Sequence, residues 1–247
     1  MDRMIYVAMT GAREAMRAQA LVAHNIANAG TTGFRAVRHT VEAQAITGPG
    51  LATRVNPVTL PDTWNGASGA MIQTGRELDV AVQGEGWIAV QDAEGREAYT
   101  RAGNLRINAA GLLETAGGQL VKGSGGPVSI PAYEELYIGN DGQVSIVPQG
   151  QTPEGLAIVE RIKLVNPPAE QMIASGNGLY RMADDSEAAA DATVTIASGQ
   201  LESSNVNATA ALVEMIELAR SYDMQVRAMN SADENAAAAA RLIRTGG

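Results

Sequence analysis

The residues that break helices are segregated in this chain. All nine prolines fall between Pro49 and Pro168, and of 27 glycines only Gly11 precedes Gly30 and none lies between Gly199 and Gly246. Proline removes a backbone donor and clashes with the preceding turn, and glycine carries the largest entropy loss on ordering. Long helices are therefore possible at the two ends and excluded from the middle.

Periodicity supports the same division. At the C-terminal end Leu212, Met215, Ala219, Tyr222, Val226, Met229, Asp233, Ala236, Ala240 and Ile243 alternate in steps of three and four, a heptad seam interrupted by Asp233. A helix from near Asn205 to near Arg244 would be about 60 Å long at 1.5 Å per residue. Ser203 to Asn205 offer N-cap oxygens for it. At the N-terminal end Ile5, Met9, Ala12, Met16, Gln19, Ala23 and Ile26 keep the same spacing, and Gly30 stands where a left-handed residue would stop the helix.

The middle alternates with period two between turn signals. "ELDVAVQGEGWIAVQDAEG", "YTRAGNLRINAAGLLETAGGQLV", "NDGQVSIV" and "VERIKLV" read as short strands joined by glycine turns, with a hairpin at Asp92–Gly95. The expected fold class is α+β: N- and C-terminal helices paired as a coiled-coil-like layer, and a central antiparallel all-β domain. The expected domains are 1–35 with 200–247 for the helices, 36–71 as an extended linker, and 72–199 for the β-rich part.

Aromatics make up only 4% of the chain, so both layers must be built from Ala, Val, Ile, Leu and Met. Two Ala- and Met-rich helices bury little area, at about 0.8 kcal/mol per methylene. The expectation is a helical pair that is marginal in a single chain and stabilised by neighbouring subunits. Arg13, Arg17, Arg220, Arg227 and Arg241 would then pair with acidic residues on adjacent helices and select their register.

Little chemistry is available. The chain has no cysteine, which excludes disulfides, Cys-zinc sites and thiol catalysis. A net charge of −9 argues against nucleic acid as a partner. No run reaches the roughly 18 apolar residues of a membrane span, and Arg13, Glu14 and Arg17 interrupt any secretory signal. "GEGWIA" matches a dinucleotide fingerprint in spacing, but strand residues follow where a helix is required. His24 and His39 lack the companions of a zinc site. Asp184–Asp185 and Glu134–Glu135 are adjacent carboxylates in expected loops, where solvation is the plainer reading. No catalytic, cofactor-binding or metal-binding residue is expected. A wall- or carbohydrate-binding β-domain protein with a helical stalk remains an alternative at this level.

Three segments are familiar. "NIANAGTTGFRA" resembles the signature of the flagellar rod and hook family at Asn25, Ala27, Asn28, Thr31, Gly33, Phe34 and Arg35. "LESSNVNATAALVEMIELARSYDMQVRAMNSADE" resembles its C-terminal segment, with Leu201, Glu202, Ser204, Asn205, Val206, Asn207, Met215, Ile216, Arg220, Tyr222 and Asp233 in place. The stretches from Leu78 to Val90 and from Tyr99 to Val121 resemble the β-domain run between them.

The resemblance implies a non-enzymatic axial protein of the bacterial flagellar basal body. Its terminal helices would surround an export channel, and its β domain would face outward. Its opening and closing segments look more like a proximal-rod member than a distal-rod or hook member, with the distal rod as the alternative. Implied partners are copies of itself, the proximal-rod proteins FlgB and FlgC, the distal-rod protein FlgG and the flagellar type III export apparatus. The implied place is the periplasmic rod. Both seams, with Asn28 and Phe34, are the expected subunit interface. Phe34, the only phenylalanine, would anchor the departing strand against the helical layer or an adjacent subunit.

Overall fold

The computed structural model describes residues 4–45, 55–59, 63–150, 155–176 and 178–245. The chain divides into two units: a helical one of Met1–Ala27, Val37–Trp64 and Val206–Gly247, and a β one of Asn28–Ala36 and Asn65–Asn205. The class is α+β, as the segregated breakers require.

In the helical unit, α1 (Met4–Ala27) and α2 (Ala208–Thr245) pack side by side. The helix ends differ from the expected ones. α1 stops at Ala27, and the left-handed glycine after it is Gly33 (φ 67°) rather than Gly30. α2 is capped by Asn207, whose side-chain oxygen accepts from the Ala210 N–H at 3.0 Å. That is the N-cap to N3 bond that satisfies one of the four free amides of a helix start. Asn205, the expected cap, is engaged elsewhere.

The segment expected as a linker carries paired strands. Val41–Ala45 pairs antiparallel with Val55–Thr59, and Val37–Arg38 with Thr63–Trp64. Pro57 is tolerated because both two-stranded sheets consist of edge strands alone. Residues 46–54 and 60–62 of that segment lie outside the described residues.

The β unit is antiparallel among the described strands. Its largest sheet has eight strands, with Trp87–Gln91 near its middle pairing Glu97–Thr100, Leu120–Val121 and Leu164–Val165. A three-stranded sheet of Tyr133–Ile138, Gln143–Pro148 and Ala157–Arg161 stands beside shorter pairs, including Met71–Gln73 with Gln200–Glu202. Alternation places Val80, Val82, Ile88, Val90, Leu105, Leu113, Val121, Val128, Val144 and Ile146 in one continuous core. The Asp92–Gly95 hairpin forms as expected: the Asp92 carboxylate accepts from the Glu94 and Arg96 amides, and Gly95 takes φ 82°. After the "GEGWIA" glycines comes the strand Trp87–Gln91, so that stretch is a turn between strands.

Candidate assembly site

The helical seams follow the expected spacing, with every second position of the first helix, and the Leu212 and Asp233 positions of the second, displaced by one residue. On α1 the buried stripe is Ala8, Ala12, Ala15 and Val22, with Ile5, Gln19 and Ile26 half-buried. Ile5, Ala12, Gln19 and Ile26 thus keep the expected spacing, but Ala12 is core to the helix pair of its own chain, a correction to its expected interface role. Met9 and Met16 are 53% and 56% exposed, and Ala23 is exposed as well. On α2 Met215, Ala219, Tyr222, Val226 and Met229 are half-buried, but Ala211 and Ala232 take the buried places expected for Leu212 and Asp233. Leu212, Asp233 and Ala236 are exposed, and the side chains of Ala240 and Ile243 lie outside the described residues.

At the methionine positions the displacement has a steric cause. Heptad spacing alone allows either of two neighbouring residues at each alternate turn, and hydropathy favours methionine. At the first two places the packed helices enclose the smaller residue, Ala8 and Ala15, whereas at the third Val22 is enclosed and Ala23 is exposed. Gly11 shows how close the approach is: a Cβ there would lie 3.0 Å from the Gln225 side chain of α2. Several larger apolar residues are left outside. Tyr6, Met9 and Met16 on α1, and Leu212, Val213, Ile216 and Met224 on α2, are all exposed.

Asn25 acts within the same unit. Its side-chain oxygen accepts from the Val37 N–H at 2.9 Å and its amide donates to the Val37 carbonyl at 2.8 Å. One side chain thus supplies both halves of a strand partner for the chain that follows.

In the β unit the two signature segments meet. The Gly33 N–H donates to the Glu202 carbonyl at 2.7 Å, and the Asn205 N–H to the Phe34 carbonyl at 3.2 Å. The Asn205 side chain accepts from the Ala36 N–H at 2.7 Å and donates to the Asn65 and Ala67 carbonyls. At the centre is the Glu202 carboxylate, fully buried. One oxygen accepts from Arg35 at 2.8 Å and the Gly69 N–H at 2.9 Å, and the other from Arg101 at 3.1 Å. Arg35 also donates to the Ala67 carbonyl. Arg101 donates to the Gly84 carbonyl at 2.7 Å and lies over the Trp87 ring at 5.4 Å.

Burial pushes the Arg101 guanidinium below its ordinary pKa, against the pull of the Glu202 charge. A guanidinium remains charged all the same. A buried carboxylate between two guanidiniums is strongly destabilising when one partner is removed, because the others stay buried and unpaired.

Gly33 is dictated by this junction. It takes φ 67°, and a Cβ there would sit 2.2 Å from the Arg101 backbone. Phe34 follows from it. Its ring is 3% exposed and enclosed by the β unit, close to Gly178. It is therefore core to its own chain and offers no face to a neighbour, a correction to its expected interface role. Asn28, half-buried at the start of the β unit, accepts from Thr31 through both its carbonyl and its side chain.

Arg101 and Gly69 were not singled out in the sequence. The available signal for Arg101 was a lone charge among small and apolar neighbours in "AYTRAG". No helix among the described residues is long and apolar enough to cross a membrane.

The segments brought together here are also those that match known families. The model described as flagella basal body rod protein matches residues 5–35, that of the flagellar hook protein FlgE/F/G D1 domain residues 81–146, and that of the flagellar basal body rod FlgEFG protein C-terminal residues 197–242. The flagellar basal-body rod protein FlgF of Salmonella typhimurium is 39% identical over 249 residues, covering 98% of this chain and 99% of that protein. FlgF of Escherichia coli is 38% identical with the same coverage, and FlgG of Bacillus subtilis is 32% identical over 259 residues, covering 95% of this chain and 96% of that protein.

The chain belongs to the flagellar basal-body rod protein family. It is a structural subunit of the rod, not an enzyme, and it sides with the relatives named FlgF over those named FlgG.

Proposed function

We propose that this subunit assembles through the exposed faces of its two terminal helices into a helical tube that surrounds the export channel and transmits torque. Its partners there are copies of itself, FlgB, FlgC and FlgG. It reaches the periplasmic rod through the flagellar type III apparatus.

The supporting observation is the displaced seam. The chain uses its alanines to close its own helix pair and leaves Met9, Met16, Leu212, Val213, Ile216 and Met224 outside. Exposed apolar side chains repeated along two neighbouring helices are a surface that association removes from water. Ala23 and Ala236 extend the exposed faces, and half-buried Ile5, Ile26, Met215, Ala219, Tyr222, Val226 and Met229 border them. Faces of different composition on α1 and α2 suit a heterologous contact, and such contacts generate open helical assemblies when the rotation does not close. Dense packing of small side chains gives a tube of low compressibility, which resists twist.

The test is Met16→Glu. The free chain should keep its stability within about 0.5 kcal/mol, since the residue touches solvent. Incorporation into basal bodies, read by immunoblot of purified particles, should be lost together with swimming. Normal incorporation would overturn the reading.

A further inference from the structure

A cavity of about 540 Å³ opens in the β unit, away from the Arg35–Glu202–Arg101 junction. Two ammonium groups form part of its wall. Lys122 and Lys163 both donate to the buried carboxylate of Glu97, at 2.6 Å and 2.8–2.9 Å, and Tyr99 donates to the same carboxylate at 2.9 Å. Glu97 therefore leaves one positive charge of the lysine pair unmatched. Glu187 supplies the balance, accepting from Lys122 at 2.8 Å and lying 3.7 Å from Lys163.

Glu187 differs from the other three charged groups in its setting. Its side chain is 62% exposed, whereas that of Lys122 is 15% exposed. It sits on the irregular segment between Met182 and Thr195, which is held nearby by the Ala188 N–H donating to the Tyr99 hydroxyl at 2.8 Å. The hydrogen bond from Lys122, helped by the charge of Lys163, lowers the Glu187 carboxyl from its ordinary pKa against the effect of burial. The other carboxylates of the wall are already engaged: Asp141 with Arg161, and Asp191 with the amide and hydroxyl of Thr193.

A glycine-rich loop forms another part of the rim. Residues Gly123–Gly126 line the cavity, and a Cβ on Gly126 would meet nothing within 4 Å. The N–H groups of Gly125 and Gly126 donate to no group among the described residues. Two ammoniums and open backbone amides beside a cavity are the elements of a carboxylate site.

We propose that this cavity docks a carboxylate-bearing segment of an adjoining rod subunit, and that Glu187 fills the anion position while the subunit is free. The incoming carboxylate takes the outer side of the Lys122–Lys163 pair, and the exposed Glu187 side chain swings into solvent. Glu97 stays in place and keeps both ammoniums oriented. The identity of the incoming segment as part of a neighbouring subunit rests on the assembly reading above; the site itself does not.

The experiment titrates the isotope-labelled full chain with a capped hexaglutamate peptide, with hexaglutamine as the neutral control. Amide shifts of Gly123–Gly126 are followed by NMR. Glu187→Gln should bind hexaglutamate at least about tenfold tighter than the unaltered chain, a difference of about 1.4 kcal/mol. Glu94→Gln removes an exposed charge at a hairpin tip and should bind as the unaltered chain does. Equal affinity in Glu187→Gln and the unaltered chain, equal binding of hexaglutamine, or shifts confined to other residues would overturn the proposal. Glu187→Gln also removes the charge that balances the lysine pair, so urea unfolding followed by tryptophan fluorescence establishes that each variant is folded before titration. Peptide binding is measured without a rod, so its failure is separable from failed incorporation of Met16→Glu.

Discussion

The two units of this chain are built to different standards of self-sufficiency. The β unit has a core of Val, Ile and Leu with no exposed surface at many positions. Each such side chain contributes about 1.5–3 kcal/mol when fully buried. The buried stripe of the helical unit is Ala8, Ala12, Ala15, Val22, Ala211 and Ala232, and several larger apolar residues, Met9, Met16, Leu212, Val213, Ile216 and Met224 among them, are exposed. The β unit finishes its packing within one chain. The helical unit closes with small residues and leaves several large ones exposed. Hydrophobic content therefore does not measure how much a segment stabilises its own monomer; what matters is which side chains are enclosed.

The strongest test of this contrast is Glu202→Ala. It leaves two buried guanidiniums without their carboxylate and should destabilise the β unit by about 3–5 kcal/mol, read by urea unfolding of the tryptophan signal. An effect under about 1 kcal/mol, the range of an exposed ion pair, would show that the junction is not a closed buried cluster.

Alkali gives the next largest effect. Burial pushes the Tyr180 hydroxyl up from its ordinary 10.0 to about 12. A raised pKa means that the stability is complete below pH 10 and is lost as pH rises toward 12. Two units correspond to about 2–3 kcal/mol. Tyr180→Phe should abolish that part of the alkaline loss in matched unfolding titrations. Tyr99 shifts in the same direction through burial and its bond to Glu97, so the variant leaves a remainder.

Ala15→Leu probes the helical unit. Overpacking a close helix approach should cost about 1–3 kcal/mol there, read as loss of helical ellipticity at a lower temperature, with the β unit unchanged. A stabilised helix pair would mean that the small residues are not required by proximity. The smallest effect is expected for Asn207→Ala. Loss of the cap should cost about 1 kcal/mol, seen as faster amide exchange in the first turn of α2.

Much of this architecture was legible because it depends on local physics. The confinement of proline and glycine located both helices, and period-two alternation from Leu78 to Val90 located the central strands. Val41–Ala45 was harder: its short strand pairs only with Val55–Thr59, and an extended chain with proline in it looks the same paired or unpaired. The helix seams were half legible. Spacing identified Ala12, Tyr222 and Met229 but could not choose between Ala8 and Met9, because hydropathy and close approach favour different residues. Phe34 stands out as the only phenylalanine, yet its enclosure depends on the β unit around it.

By itself the sequence determined the fold class, the two long helices, the antiparallel middle and the family, since each rests on backbone propensity or on motifs read in order. Tertiary structure decided which turn of each helix is buried, and that Arg35, Arg101 and Glu202 share one site. Those residues are separated by long stretches of chain, and the energy of burying a charge depends on what surrounds it rather than on its neighbours in sequence.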